Sequence, residues 1–344
     1  MPSWRKAAAL QAAALSAFLT LDLHGARAQT ADEKFYAGRQ VTLLIAATAG
    51  GGYDRWGRLV SRHIGRHIPG NPIIVNQNMG AAGGVAGTAH LYNVMARDGS
   101  VFSLITREAP LAPIMHPSQA RFDPSKFNWL GGTTTETSVC ISRGSSPVKT
   151  LADLMQRELI VGDTGAGTGT YVFPRALNGL FGTKFKIVSG FQNSVDVMLA
   201  LERGEVDGIC ESLDSVSGKS PGWREKGVFN AVVHGGLEPD PHLKGVPFVF
   251  DLAKTEEDRQ ALRFLYAGQG IGRPFLMPPD VPKARVAIMR KAFDATMNDE
   301  AFLAEAQKMR LDVEPVSGEK LESIINGLMS TPRSVIDRVA KFMQ

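Results

Sequence analysis

Two glycine-rich turns concentrate the residues of this chain that can do chemistry. Ala47-Thr48-Ala49-Gly50-Gly51-Gly52-Tyr53-Asp54 follows an apolar run at residues 41–46 and opens a helical pattern. Asp163-Thr164-Gly165-Ala166-Gly167-Thr168-Gly169-Thr170 repeats the design after the run Leu159-Ile160-Val161 and adds threonine hydroxyls. Glycine allows close backbone approach to a ligand, and the free amides and dipole of a helix N-terminus attract anions. Each turn alone also reads as a plain strand-to-helix connection. Two of them, one in each predicted half, favour paired anion sites.

Neither turn is a nucleotide loop. Thr170 stands where the third glycine of G-x-G-x-x-G belongs, and no G-x-x-x-x-G-K-[ST] exists. Further polar residues sit where strands are predicted to end: Asn78, Thr106 with Arg107, and Glu211 with Ser212. Arg107 is a candidate counter-ion, with a solvated surface arginine as the alternative. No G-x-S-x-G is present, and Ser146-Pro147-Val148-Lys149 matches S-x-x-K only in a turn-like context. His63 and His67 have ligand spacing on one helix, but no Glu follows His63 and no third ligand is evident, so packed or edge histidines are expected. We therefore predict no catalytic residues, no metal and no cofactor.

The elements that hold these turns alternate between strand and helix. Asp54 is placed to cap a helix running to about Ile68, in which Trp56, Leu59, Val60, Ile64 and Ile68 share a face, while Arg55, Arg58, Arg62 and Arg66 point away. Short strands are expected at 73–75, 101–105, 139–142, 159–161, 185–188 and 206–210, with helices at 83–96, 170–181 and 193–203. Helical period returns at 255–265, 282–309, 317–329 and 331–343. Such alternation implies an α/β architecture with mainly parallel sheets. Ligands in open α/β sheets bind beyond the strand C-termini, so two facing units would enclose a cleft.

Composition sets the class. The chain has 344 residues, is 44% hydrophobic and carries a formal charge of +4. That length suggests roughly two domains with a sizeable core, and the balance of apolar and charged residues excludes disorder as the dominant state. Residues 1–28 read as a secretory signal: Arg5 and Lys6, an apolar run at 7–21, and an Ala26-Arg27-Ala28 cleavage site before Gln29. Without Arg5, Lys6, Arg27 and Asp22 the balance is 35 basic against 33 acidic residues, or +2. No run of five basic residues occurs, so nucleic acid is not an expected partner. Cys140 and Cys210 both sit in short apolar runs. Two buried free thiols are the favoured reading, and a disulfide is the alternative in an oxidising compartment.

In order along the chain, these motifs resemble the substrate-binding proteins of tripartite tricarboxylate transporters, the Bug family. The resemblance covers most of residues 35–344. It rests on Ala49-Gly50-Gly51-Gly52-Tyr53-Asp54 with Arg58, on Asn78-Met79-Gly80-Ala81-Ala82-Gly83-Gly84, and on Asp98-Gly99-Ser100-Val101. It continues through Phe122-Asp123-Pro124 with Phe127, Gly165-Ala166-Gly167-Thr168, Gly204-Glu205-Val206-Asp207-Gly208, and Pro278-Pro279 with Val281-Pro282. The sequence departs from the family pattern at Gly80-Ala81, where the family has Pro-Gly. It also departs at Ser100 and at Phe191-Gln192-Asn193, where many members have tyrosines. Phe191 lacks that hydroxyl and favours a more apolar ligand body.

The resemblance implies a type II periplasmic binding protein of two domains closing like a flytrap. It implies a signal peptide at 1–28, a first domain at 29–132, a second at 133–245, and a crossover with C-terminal helices returning to the first domain at 246–344. It implies a small organic carboxylate held by Thr48, Ala49, Gly50, Gly51, Gly52, Tyr53 and Asp54 with Gly165, Gly167 and Thr168. Asn78, Thr106, Arg107, Phe191 and Glu211 complete the expected pocket. The expected protein is a periplasmic, monomeric, non-enzymatic solute-binding protein that meets membrane transporter subunits transiently. A receptor presenting its ligand to a membrane sensor, or an exported enzyme on the same scaffold, are the competing readings.

Overall fold

The structure, a computed structural model, describes residues 30–115, 120–166 and 168–343. The expected signal segment, and Gly167 of the second turn, lie outside the described residues. Eleven strands form two sheets among the described residues. They are β1 (Gln40–Ile45), β2 (Ile73–Asn78), β3 (Val101–Leu104), β4 (Asn128–Gly132), β5 (Ser138–Arg143) and β6 (Leu159–Gly162), followed by β7 (Phe185–Val188), β8 (Gly208–Ser212), β9 (Phe229–Gly235), β10 (Pro274–Met277) and β11 (Val316–Ser317). The first sheet runs β11-β4-β10-β3-β1-β2 and the second β7-β6-β8-β5-β9. This is the expected two-domain α/β fold.

Strand direction differs from the mainly parallel expectation. β1 pairs in parallel with β2 and β3, and β6 with β7 and β8. The pairings of β10 with β3 and β4, of β11 with β4, and of β5 with β8 and β9 are antiparallel. Connectivity supplies the reason. β5 and β10 each receive the chain from the other domain, so they enter their sheet at the cleft edge, where the parallel strands end.

Helix Gly52–Ile64 buries Trp56, Leu59 and Val60 on one face of the first sheet, beside Phe293 of helix Lys283–Met297. Leu91, Trp129, Leu321 and Ile325 cover the other face. Arg58, Arg62 and Arg66 stay about half exposed, as the spacing predicts, whereas Arg55 is partly buried and donates to the Met309 carbonyl at 2.6 Å. The helical period at 282–309 resolves into two helices, Lys283–Met297 and Glu300–Lys308. They break at Asp299, whose carboxylate accepts from the amides of Ala301 and Phe302.

On the second sheet, Phe173 and Leu177 of helix Gly169–Phe181 pack with Phe264 and Val339. Val197, Leu201 and Trp223 fill the opposite face. The segment 246–344 is therefore divided between the sheets. Helices Glu256–Tyr266 and Arg333–Met343 pack on helix Gly169–Phe181 of the second domain, and Gly318–Met329 lies on β4 of the first. Among the described residues no helix is long and apolar enough to cross a membrane.

The two cysteines correct the free-thiol reading. Cys140 on β5 and Cys210 on β8 are directly opposed in the antiparallel ladder and form a disulfide. Opposed residues on neighbouring strands bring their side chains together on one face, a juxtaposition that requires the strand register.

Candidate ligand site between the two sheets

Both glycine-rich turns meet at one cavity. It encloses about 60 Å³ beyond the C-terminal ends of the parallel strands. Helices Gly52–Ile64 and Gly169–Phe181 point their N-termini at it from opposite domains. Neither has a side-chain cap, whereas Thr150, Asn193, Ser212, Thr255, Asp299 and Ser317 cap theirs. Two helix ends thus keep donors available at the cavity. A third uncapped helix, Val85–Asn93, enters from Gly84, and Gly80 and Gly83 ahead of it also line the space. Here Ala82, Gly83 and Gly84 all have positive φ. A Cβ on Gly84 would lie 2.2 Å from the Ala46 carbonyl oxygen, which is why this turn needs glycine there.

Of the residues expected from the sequence, Thr48, Gly51, Gly52, Tyr53, Thr106, Arg107, Thr168 and Glu211 line the cavity. Ala49, Gly50, Asp54, Asn78, Gly165 and Phe191 do not. Asp54 sits inside the first helical turn rather than at the cap. Its Oδ2 accepts from the Gly50 amide at 2.9 Å, and its carboxylate also takes Arg58 Nε and Asn78 Nδ2. Burial pushes Asp54 up, but Arg58 and these amides outweigh it and hold the carboxyl below its usual range. Asn78 Nδ2 further donates to the Ala47 carbonyl. These residues brace the first turn from behind.

Gly165 spends its amide on Asp163 Oδ1 at 2.7 Å and packs against Gly83 of the other domain. Behind it, the hydroxyls of Thr164, Thr168 and Thr170 form a mutual cluster at 2.7–3.2 Å. Phe191 lays its ring over Gly162, away from the cavity.

The domains touch across the cleft. Thr48 Oγ1 donates to the Gln192 carbonyl at 2.5 Å, Trp56 Nε1 donates to Asp214 Oδ2 at 3.3 Å, and Asn193 Nδ2 reaches the Ala49 carbonyl at 3.5 Å. A second cavity of about 130 Å³ adjoins on the far side of Glu108. It is mainly apolar, with Val85 and Ala86 from one domain and Tyr171, Val172 and Phe264 from the other.

Charged side chains form the floor of the first cavity. Arg107 is 3% exposed, so it is not a surface arginine. Its Nε lies 3.0 Å from Glu108 Oε1 and its Nη1 lies 3.4 Å from Glu136 Oε2. Its charge is met by protein carboxylates. Arg273, which precedes β10, is 1% exposed; its Nε meets Glu136 Oε1 at 2.6 Å and its Nη2 donates to Ser212 Oγ at 2.9 Å. The Arg273 guanidinium also lies over the Tyr53 ring, 4.3 Å from its centre. Tyr53 accepts from the Arg107 amide at 3.0 Å, and burial pushes its phenol up to about 12. Burial opposes the charge of Arg107, but Glu108, Tyr53 and Glu136 outweigh it and hold its pKa above the usual value. Burial, reinforced by Glu136, pushes Asp214 up to about 6.

The sequence analysis missed Glu108, Gln192, Asn193, Ser194, Ser215 and Arg273 on this cavity, while Thr164 and Thr170 bear out the hydroxyls read in the second turn. One signal was available for Arg273: a lone arginine directly before the core strand Pro274–Met277. Both histidines of the His63/His67 pair instead meet carboxylates of the next helices, His63 with Glu305 and His67 with Asp299. Among the described residues no group of three or more His, Cys, Asp or Glu is placed to hold a metal.

No protein-family model matches the chain. It is 28% identical over 184 residues to the UPF0065 protein of the TAR-I ttuE-ttuC' intergenic region of Agrobacterium vitis. The match covers 51% of each, so the chain spans about half the length of this curated relative. Among solved structures, the periplasmic binding protein BugD superposes with a TM-score of 0.68 at 19% identity, over 89% of this chain and 97% of that one. MatC from Rhodopseudomonas palustris with bound malate gives 0.68 at 19%, over 89% and 99%. Rpa4515 of R. palustris with adipate gives 0.63 at 17%, over 88% and 97%. The resemblance read from the sequence is met by the fold: this chain has the two-domain, type II architecture of the Bug and TctC periplasmic binding proteins.

Proposed function

We propose that this chain is an exported solute-binding protein. It captures a small organic carboxylate between its domains and delivers it to a membrane transporter of the tripartite tricarboxylate type. The carrying observation is the pair of uncapped helix N-termini, Gly52–Ile64 and Gly169–Phe181, converging on one cavity lined by Thr48, Thr164, Thr168 and Thr170. Amides and hydroxyls arranged in this way hold an anion without a free buried cation. The malate and adipate in MatC and Rpa4515 support the reading, as does the description of BugD as a periplasmic binding protein. We read the role as binding rather than turnover; among the described residues no histidine lines the cavity, and Cys210 is held in its disulfide. Ser194 with Lys219, at 2.6 Å, is the hydroxyl–amine pair there, and recovery of the ligand unchanged after incubation checks that it does no chemistry.

A thermal-shift panel of aliphatic di- and tricarboxylates, aromatic acids and acidic amino acids, with neutral sugars as controls, tests the proposal. A ligand at about 100 times its Kd adds about 2.7 kcal/mol, a shift of several degrees. The decisive variant is Gly52→Val. A Cβ at Gly52 would lie 2.6 Å from Ser215 Oγ of the other domain and 3.4 Å from Arg273 Nη2. Since that clash falls where the domains meet, the replacement should lower the melting of the free protein and weaken binding by more than about 100-fold, about 2.7 kcal/mol, while Gly52→Ala, with the smaller side chain, should show the same two effects to a lesser degree. A shift with a sugar and none with any carboxylate would overturn the reading.

A further inference from the structure

The cavity carries one charge that the protein leaves unpaired. Four charged residues line it: Arg107, Glu108, Glu211 and Arg273. Arg107 pairs with Glu108 and Glu136, and Arg273 with Glu136. Glu211, at the end of β8, has no ion pair within 4 Å among the described residues; its Oε1 accepts from the Ser212 amide at 2.8 Å. Lys219, the cation that acts on it most strongly, donates to Ser194 Oγ at 2.6 Å. Arg107, Glu108 and Arg273 are at most 3% exposed, whereas Glu211 keeps accessible surface although protein encloses it. That free surface is cavity surface. Burial works against the Glu211 carboxylate, but Lys219, the Ser212 amide and the two arginines outweigh it and keep it ionised.

The charge balance points the same way. Around the cavity Arg55, Arg107, Arg273 and Lys219 stand against Glu108, Glu136, Glu211 and Asp214, four cations to four carboxylates. A ligand bearing carboxylates alone would break that balance in an enclosed space, where an unpaired charge is costly. A ligand that also brings a cation would offset it. From the unpaired Glu211 and this balance, we infer that the ligand is an amino-carboxylate. Its carboxylate lies at the two helix N-termini and its ammonium at Glu211. This rests on the carboxylate reading of the same cavity and names its substrate class.

The experiment titrates the wild type and Glu211→Gln with pairs that differ only by an ammonium group. The pairs are succinate and aspartate, glutarate and glutamate, propionate and alanine, and butyrate and 4-aminobutyrate. In at least one pair the ammonium member should bind the wild type at least tenfold tighter, and Glu211→Gln should remove most of that preference. If carboxylates bind but the amine-free member equals or exceeds its partner in every pair, the inference falls and the carboxylate reading stands. The same holds if Glu211→Gln folds and keeps the full preference. If no member of any pair binds, the inference falls, and the wider carboxylate panel decides the carboxylate reading separately. The wild-type ranking decides by itself should the variant not fold.

Discussion

Glu136→Ala is expected to lower the free energy of unfolding by about 3–5 kcal/mol, the range for removing one partner of a buried ion pair. Glu136 lies on the 133–137 link between β4 and β5, where the chain passes from one domain to the other. Its side chain is 1% exposed and bridges two buried arginines, Arg273 through Oε1 and Arg107 through Oε2. Its backbone amide donates to the Gln269 carbonyl on the returning segment at 3.0 Å. With its amide oriented to satisfy both neighbours, Gln269 donates to the Glu136 carbonyl and accepts from Arg107 Nε. The cluster therefore ties two domain-crossing segments together.

Without the carboxylate, the ion-pair partner left to Arg273 among the described residues is Asp214 at 4.0 Å, and Arg107 keeps Glu108. The cost comes from stranded cations rather than from lost packing. Glu136→Gln, which keeps the shape and loses the charge, should then fall within about 1 kcal/mol of the alanine variant. Urea unfolding at neutral pH measures both. A loss under about 1 kcal/mol for Glu136→Ala would show that water or another acid satisfies the arginines.

Opening the Cys140–Cys210 bond should remove stability of similar size. The bond closes a loop of 70 residues, and the chain-entropy relation assigns such a loop about 4 kcal/mol. It joins β5, the first strand of the second domain, to β8, which carries Glu211 into the cavity. The comparison is urea unfolding of the oxidised protein against the Cys140→Ala/Cys210→Ala double variant. The double variant should unfold at clearly lower urea concentration. Equal midpoints would mean that the β5–β8 ladder already constrains the unfolded ensemble, or that the thiols are free in the working protein.

The unevenness of what could be read along the chain follows from the range of the interactions involved. The two glycine-rich turns, the helix that carries Trp56, Leu59 and Val60, and the alternation of strand with helix were legible, because each reflects residues within a few positions of one another. Their outcome holds in the structure down to the exposed arginines of helix Gly52–Ile64. Even there, one local detail was misplaced. Asp54 looks like a cap by residue type, yet it folds back to the Gly50 amide because Arg58 and Asn78 draw its carboxylate there.

The remaining features depend on partners distant in sequence. Period cannot tell a parallel strand from one entering at the cleft edge, so β5 read like its neighbours, and β10 was not read as a strand at all. The bond between Cys140 and Cys210 needs the register of β5 on β8. Arg107 reads as a surface or ligand-binding cation until Glu136, on the crossing link, is seen beneath it. Helix Arg333–Met343 joins the second domain because its apolar face meets Phe173 and Leu177, more than 150 positions earlier. Local chemistry built the two turns; the folding of one domain onto the other made them a single cavity and left Glu211 as its unpaired charge.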